Sequence, residues 1–140
     1  MRSQLMPAAL AAILALCVWG GAALAAGQRD EISREELQAR LAGADAPLVI
    51  DVRAPEEYAA GHVPGAINIP HEQAAAHLEE LRPYQDREIV LYCKSGRRAG
   101  LAGATLAQAG FSRLRYLAGD MPGWSAAGLP VETGPAAAAP

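Results

Sequence analysis

The chain contains 140 residues, of which 51% are hydrophobic and 19% are charged, and its formal net charge is −3. This length is typical of one domain, and the aliphatic content with low net charge excludes a wholly disordered chain. The lack of a basic run argues against nucleic-acid binding, and two cysteines are too few for a disulfide scaffold or a four-cysteine metal site.

The N-terminal segment, residues 1–26, has the pattern of a secretory signal peptide. Arg2 supplies the positive start, an uncharged apolar stretch follows, and residues 23–25 match the small-x-small cleavage pattern. The alternative is an uncleaved membrane anchor, because about 20 apolar residues can span a bilayer. Cleavage would remove Cys17 and leave Cys93 as the one cysteine. We expect an exported protein, periplasmic in a Gram-negative source, with no stable membrane association after cleavage.

The following residues, 27–132, predict helices that alternate with strands. Ser33 and Glu36 form a capping box for a short helix. Apolar runs at 47–52 and 88–92 are typical of strands buried on both faces of a parallel sheet. Further strands are predicted at 66–70 and 113–117, and further helices from Pro55, over 71–81 with Pro83 as the stop, over 99–110, and around Trp124. The sequence predicts an α/β domain with a mainly parallel central sheet, helices on both faces, and a disordered tail at 133–140.

The loop after the second buried strand begins with Cys93. Ligands of parallel sheets bind beyond the carboxyl ends of the strands, where both Asp51 and Cys93 are expected. Ser95 and Gly96 allow tight winding, since glycine adopts positive φ without steric cost. Such winding points backbone N–H groups inward as an anion site, and the following helix adds the positive end of its dipole.

Three basic residues follow the cysteine closely, namely Lys94, Arg97 and Arg98. Positive charge and inward-facing amides favour the thiolate over the thiol, and the thiolate is the form that attacks electrophiles. We therefore predict that Cys93 is a nucleophile held in an anion site. This hypothesis requires a sulfur that water can reach, and a sulfur walled off from solvent would contradict it.

The three histidines are distant from Cys93 in sequence. His62 lies in a glycine-rich loop and is expected to hydrogen-bond a turn rather than to act as a base, although it could approach the site. His71 and His77 are expected to be solvated on a helix. No His, Asp and Glu pattern suggests a metal site, and no cofactor is predicted.

These features together resemble the rhodanese (sulfurtransferase) domain family, in its small single-domain exported form. The resemblance covers about residues 31–131, and the order and spacing of the matching blocks make it specific. The matching residues are 48–53, 57–58, 61–70, 89–98, 110–111, 117–119, Trp124 and 128–131.

The resemblance implies a thiosulfate sulfurtransferase. In such proteins the loop cysteine, here Cys93, takes a sulfane sulfur from a small anionic donor such as thiosulfate and forms a persulfide. A thiophilic acceptor, either a small molecule or another protein, then removes that sulfur. Asp51 and Arg53 resemble a strand-end pair that braces the site, and residues 61–65 resemble a structural loop. The residues that would cradle the sulfur or attract the donor are Lys94, Ser95, Gly96, Arg97 and Arg98.

Two residues depart from the family pattern. Ala99 stands where many relatives have Ser, and Asp120 stands where a second Gly is common. These departures concern substrate preference rather than the nucleophile.

Several alternative functions stay open. One alternative is a sulfur carrier or protein-binding module without independent turnover. A remote alternative is a phosphatase or arsenate reductase, whose loop is one residue longer between cysteine and arginine. Thiol–disulfide exchange lacks a second cysteine in the mature chain.

Overall fold

The computed structural model describes residues 28–137, in which strands and helices alternate along the chain. The strands are β1 (Glu31–Ile32), β2 (Leu48–Asp51), β3 (Ile67–Asn68), β4 (Ile89–Tyr92) and β5 (Leu114–Leu117). The helices are α1 (Arg34–Arg40), α2 (Pro55–Ala60), α3 (Leu78–Leu81), α4 (Arg97–Gln108) and α5 (Asp120–Ala126), with 3-10 segments at His71–His77 and Arg82–Tyr84. The predicted signal segment, with Cys17, lies outside the described residues.

The strands form one parallel sheet in the order β1-β5-β4-β2-β3. The central strand β4 is buried along its whole length, as expected for a strand covered on both faces. In the register of β2 and β4, Asp51 lies opposite Tyr92, so the two strands end at the same edge of the sheet. The prediction of a mainly parallel sheet is confirmed.

Alternate residues of each central strand enter two separate cores, one on each face. Ile50 and Leu91 pack with the helix residues Ala102 and Leu106 of α4 on one face. On the other face, the core is built from α1, α2, α5 and the opposite side of the strands: Leu37, Val49, Tyr58, Val90, Tyr92, Met121 and Trp124. Helices therefore cover both faces, as predicted for this fold class. No helix within residues 28–137 has the length and apolar character that a membrane crossing requires.

The helix predicted over 71–81 is divided in the structure. A 3-10 segment at His71–His77 is followed by the single α-helical turn of α3, so the prediction of one regular helix is wrong. Its two large apolar residues, Leu78 and Leu81, lie together in that turn, and Ala74 is the buried residue before it. The 3-10 part thus has no spaced pair of large side chains that would favour a longer α-helix.

The C-terminal segment returns along α2. The amide of Gly134 donates to the carbonyl of Ala59 at 2.9 Å, and His62 and Glu132 form a short antiparallel bridge. Ala136 and Ala137 line a cavity of about 400 Å³ near β3. The disorder predicted for residues 133–140 stays a prediction.

Candidate active site

The cysteine loop leaves the sheet at the end of β4, beside the end of β2. Gly96 has φ +87°, in the left-handed region that favours glycine, and caps the N-terminus of α4. Its N–H donates to the sulfur of Cys93 across 3.0 Å. Because α4 begins at the next residue, the sulfur also lies close to the positive end of this helix. The tight winding expected from Ser95 and Gly96 is thus present. Within the described chain, Gly96 is the one residue whose amide reaches the sulfur.

The sulfur of Cys93 is not exposed to solvent in this arrangement. Cys93 is 0% exposed and belongs to the core cluster that α4 covers. The expectation that water can reach the sulfur is therefore wrong for this conformation. The reason is the same winding that brings the Gly96 amide onto the sulfur, since the loop turns back over the end of β4. Lys94, Ser95 and Arg97, in contrast, are exposed.

Both backbone groups of Cys93 are held by the first turn of α5. The Cys93 N–H donates to Oδ1 of Asp120 at 2.9 Å, and the Met121 N–H donates to the Cys93 carbonyl at 3.0 Å. Asp120 has φ +52°, and it is the one residue other than glycine with positive φ in the described chain. The cysteine is therefore fixed from two directions, by Gly96 at its sulfur and by α5 at its backbone.

Asp51 and Arg53 form a buried ion pair at the end of β2. Nη2 of Arg53 lies 2.6 Å from Oδ2 of Asp51, and Nε lies 3.0 Å from Oδ1. The same Nη2 donates to the carbonyl of Gly61 at 2.7 Å. The side-chain amide of Asn68 donates to the backbone carbonyls of Asp51 and Arg53. The guanidinium also faces the ring of Tyr92, whose burial raises the pKa of its hydroxyl. This pair ties the strand end to the loop at residues 61–65.

The positive charge of Arg98 is shared with a carboxylate from α2. Nη1 and Nη2 of Arg98 donate to Glu57 at 2.6 and 3.0 Å. The hydrogen bond from Arg98 lowers the pKa of Glu57 from its usual 4.5 to about 2, and the Ala54 amide donates to the same carboxylate. Lys94 and Arg97 form no salt bridge within residues 28–137. The structure therefore leaves two unpaired cations on the loop, where the sequence suggested three.

A pocket of about 350 Å³ lies between α2, the cysteine loop and α5. Its lining combines cations, a carboxylate and small or apolar side chains: Arg53, Glu57, Ala60, Lys94, Met121, Pro122 and Ser125. Two of these residues adjoin the cysteine, namely Lys94, which follows it in the chain, and Met121, whose amide donates to its carbonyl. An anion that entered here would meet Lys94 and Arg53 next to the loop.

The histidines lie in the positions expected of structural or surface residues. His62 is buried and stacks on the ring of Tyr58 at 3.6 Å, and its Nδ1 lies 2.8 Å from the Tyr58 carbonyl. His71 and His77 are partly exposed beside glutamates. Within residues 28–137, no group of three or more potential metal ligands comes together.

Two side-chain contacts of the site were not indicated by the sequence, namely those of the Glu57 carboxylate with Arg98 and of the Asp120 carboxylate with Cys93. Glu57 and Asp120 both lie in the first turns of helices that start just after a strand end. That shared placement at the carboxyl edge of the sheet is the signal that could have identified them. Their hydrogen-bond partners, however, are separated from them by 41 and 27 positions in the chain.

The fold and the loop define an α/β domain that presents a cysteine beyond the central strand of a parallel sheet. The family model for the rhodanese-like domain matches residues 33–127, and the chain belongs to this family of sulfurtransferases. A protein called "Sulfurtransferase" from Allochromatium vinosum is 37% identical over 102 residues, which cover 73% of this chain and 94% of that protein.

Two further similarities concern a carrier and a solved structure. The "Putative sulfur carrier protein YrkF" of Bacillus subtilis is 32% identical over 95 residues, covering 68% of this chain and 50% of that protein. The crystal structure of a thiosulfate sulfurtransferase from Pseudomonas aeruginosa superimposes with a TM-score of 0.68 at 25% identity, over 75% of this chain and 20% of that one. The predicted family and fold are thus confirmed.

Proposed function

We propose that the chain transfers a sulfane sulfur from thiosulfate or a similar donor to a thiophilic acceptor through a persulfide on Cys93. The observation that carries this proposal is the Cys93 sulfur at the end of β4, which accepts the Gly96 N–H at 3.0 Å beside the start of α4. The hydrogen-bond donor and the helix N-terminus both place partial positive charge beside the sulfur. Membership of the rhodanese-like family supports the same chemistry.

The reaction is a double displacement at sulfur. The Cys93 thiolate attacks the outer sulfur of thiosulfate, the S–S bond of the donor breaks, and sulfite leaves with the bonding electron pair. The acceptor then attacks the outer sulfur of the persulfide, and Cys93 leaves as a thiolate. Atoms and charge balance without any redox cofactor, because the two electrons of the broken bond leave with sulfite.

The burial of Cys93 makes loop movement a part of this proposal. A donor can reach the sulfur only if the segment 94–96 shifts, because the sulfur is 0% exposed in the described arrangement. The side chains of Lys94 and Ser95 are exposed and form no hydrogen bond or salt bridge within residues 28–137. The shift must break the hydrogen bond from the Gly96 amide to the sulfur and act against the one from Arg29 to the Gly96 carbonyl, while α5 holds the Cys93 backbone in place. Active-site loops commonly move in this way.

The unpaired cations provide the attraction for an anionic donor. Lys94 lines the adjacent pocket, and Arg97 is exposed at the start of α4. Arg98 is paired with Glu57, so we assign it to holding α2 against the loop as much as to binding the donor. Salt should weaken donor use, because exposed charges are screened.

Steady-state transfer from thiosulfate to cyanide tests the proposal. Cys93→Ser should abolish transfer and keep the fold, as judged by an unchanged circular dichroism spectrum. Lys94→Gln should raise the KM for thiosulfate more than it lowers kcat, since it removes attraction rather than chemistry. Transfer that persists in Cys93→Ser would overturn the assignment of the nucleophile.

A sulfur carrier without independent turnover is the second candidate, favoured by the similarity to the B. subtilis carrier. The two candidates differ in how much thiosulfate each protein molecule consumes when a small acceptor is present. A carrier would accept one sulfur and hold it until a protein partner removed it, whereas an enzyme would consume thiosulfate continuously with a small acceptor.

Export is proposed on the pattern of residues 1–26 alone. The N-terminal sequence of the protein purified from its own cells reports whether these residues have been removed.

A further inference from the structure

The carboxylate of Asp120 lies next to the reactive sulfur. Its Oδ1 accepts the amide of Cys93 at 2.9 Å, so covalent geometry places the carboxylate within about 7 Å of that sulfur. Its Oδ2 lies against Gly96 on the other side, 3.5 Å from where a Cβ of that residue would be. Asp120 thus borders both the residue that attacks and the residue that donates a hydrogen bond to it.

Asp120 adopts this position at a conformational cost. Its φ of +52° is in the left-handed region, which a residue with a side chain occupies only when its surroundings hold it there. The compensating interaction is the hydrogen bond to Cys93, together with the Met121 amide bond to the Cys93 carbonyl. The carboxylate is therefore directed at the cysteine rather than at solvent.

The positive charges around the loop are partly balanced by carboxylates. Five cations lie on or beside the loop, since Arg29 also donates to the Gly96 carbonyl at 2.8 Å. Arg53 and Arg98 are each paired with a carboxylate, Asp51 and Glu57 respectively. The carboxylate of Asp120 then offsets one of the three remaining cations, Lys94, Arg97 and Arg29. A dianion such as thiosulfate consequently meets less positive potential than it would without the carboxylate of Asp120.

We infer that Asp120 is a specificity-determining residue that disfavours strongly anionic sulfur donors and shifts the preference of this site towards donors with less negative charge. This inference rests on the proposed function for its meaning in sulfur transfer. The effect of the Asp120 charge can nevertheless be measured without sulfur transfer, because the carboxylate should repel any anion that approaches Cys93.

Alkylation of Cys93 by two reagents that differ in charge tests the inference. Iodoacetate is an anion and iodoacetamide is neutral, so the ratio of their second-order rates reports the local potential and cancels changes in thiolate content. Asp120→Asn keeps an oxygen for the Cys93 amide and removes the charge. We expect the ratio to rise about three- to tenfold, from a unit charge at this distance in a partly solvated site. Asp120→Gly, which accepts the positive φ readily, should raise it as well.

A matched control removes a carboxylate elsewhere. Asp86 lies in the turn before β4, at the end of the strand opposite to Cys93. Asp86→Asn should therefore leave the ratio of the two rates unchanged. An unchanged ratio in Asp120→Asn, an equal rise in Asp86→Asn, or a sulfur that reacts with neither reagent in any variant would overturn the inference. If the ratio rises but no variant transfers sulfur, the proposed function fails while the electrostatic role of Asp120 stands.

Discussion

The ion pair between Glu57 and Arg98 sets how much charge the cysteine loop presents. It joins the first turn of α2 to the first turn of α4, and each side chain is about a quarter to a third exposed. A pair of this exposure is partly screened by water, so its contribution to stability is modest. Its clearest effect is on the acid response of the fold, because the pKa of Glu57 is lowered to about 2.

Replacing Glu57→Gln should reduce stability in a pH-dependent manner. A carboxylate with a lowered pKa in the folded state stabilises above its usual pKa of 4.5, and that contribution disappears as pH falls towards about 2. We expect the variant to lose about 1 kcal/mol of unfolding free energy at neutral pH and to match the wild type near the lower limit. Urea unfolding across this range measures the difference.

The exposed pair of Glu79 and Arg82 offers the control for this measurement. Both side chains are mostly exposed, although the hydrogen bond from Arg82 lowers the pKa of Glu79 in the same direction. Glu79→Gln should have no measurable effect, because solvent screens the pair fully. A stability loss in Glu57→Gln that stayed constant from neutral to acid pH would contradict the role given to the ion pair.

The part of the site that is local in sequence was predictable. Cys93 after a buried strand and Gly96 at a sharp turn follow from neighbouring residues, and the structure places both as expected. The bonds of Glu57 and Asp120 were not predictable, because they join separate elements and depend on how α2 and α5 pack. The burial of the Cys93 sulfur has the same origin, since it depends on how the loop folds back.

Helix α4 approaches β5 closely along a face that carries glycine. A Cβ at Gly103 would overlap the hydroxyl of Tyr116, and a Cβ at Gly100 would overlap the guanidinium of Arg29. Arg29 in turn donates to the carbonyl of Gly96 at 2.8 Å, so this contact reaches the cysteine loop. The absence of side chains on one face of α4 thus determines its distance from the sheet.

Gly103→Ala should destabilise the protein by about 1–3 kcal/mol, because overpacking costs more than the helix propensity that alanine gains. Tyr116→Phe in the Gly103→Ala background should recover part of that loss, since it removes the overlapping hydroxyl. Thermal unfolding of the two single variants and the double variant measures the coupling. A Gly103→Ala protein as stable as the wild type would contradict the close approach.

How well each helix or strand could be predicted depended on the length and regularity of its apolar pattern. The strands β2 and β4 are continuous apolar runs, which only burial on both faces explains, and they were found with nearly the correct ends. The edge strand β1 has two residues and one buried side chain, so it shows no periodicity. The sequence of the 3-10 segment at His71–His77 does not distinguish it from an α-helix, because its alanines suit either geometry.

At the scale of the whole molecule, one sheet is shared by two cores. Leu37 of α1 is buried on one face and Leu106 of α4 on the other, at 0% and 1% exposure. Because both cores pack on the same strands, neither can be lost alone. We expect the domain to unfold in a single transition.

Leu37→Ala and Leu106→Ala should each reduce the unfolding free energy by about 2–5 kcal/mol and keep one transition, because each leaves a cavity in a core. Leu101→Ala is the control, since Leu101 lies on the same helix as Leu106 but is 48% exposed, and its effect should be small. Calorimetry measures all three. Two resolved transitions in either core variant would show that the faces unfold independently.

The most direct test of the account is the intact mass of the folded protein after thiosulfate treatment. We expect the wild type to gain one sulfur atom, to lose it on addition of cyanide, and to carry it on the peptide that contains Cys93, while Cys93→Ser gains none. This result requires that the loop admit the donor to a sulfur that is buried at rest. A folded wild-type protein that gains no sulfur, or a Cys93→Ser protein that gains as much, would contradict a persulfide on Cys93.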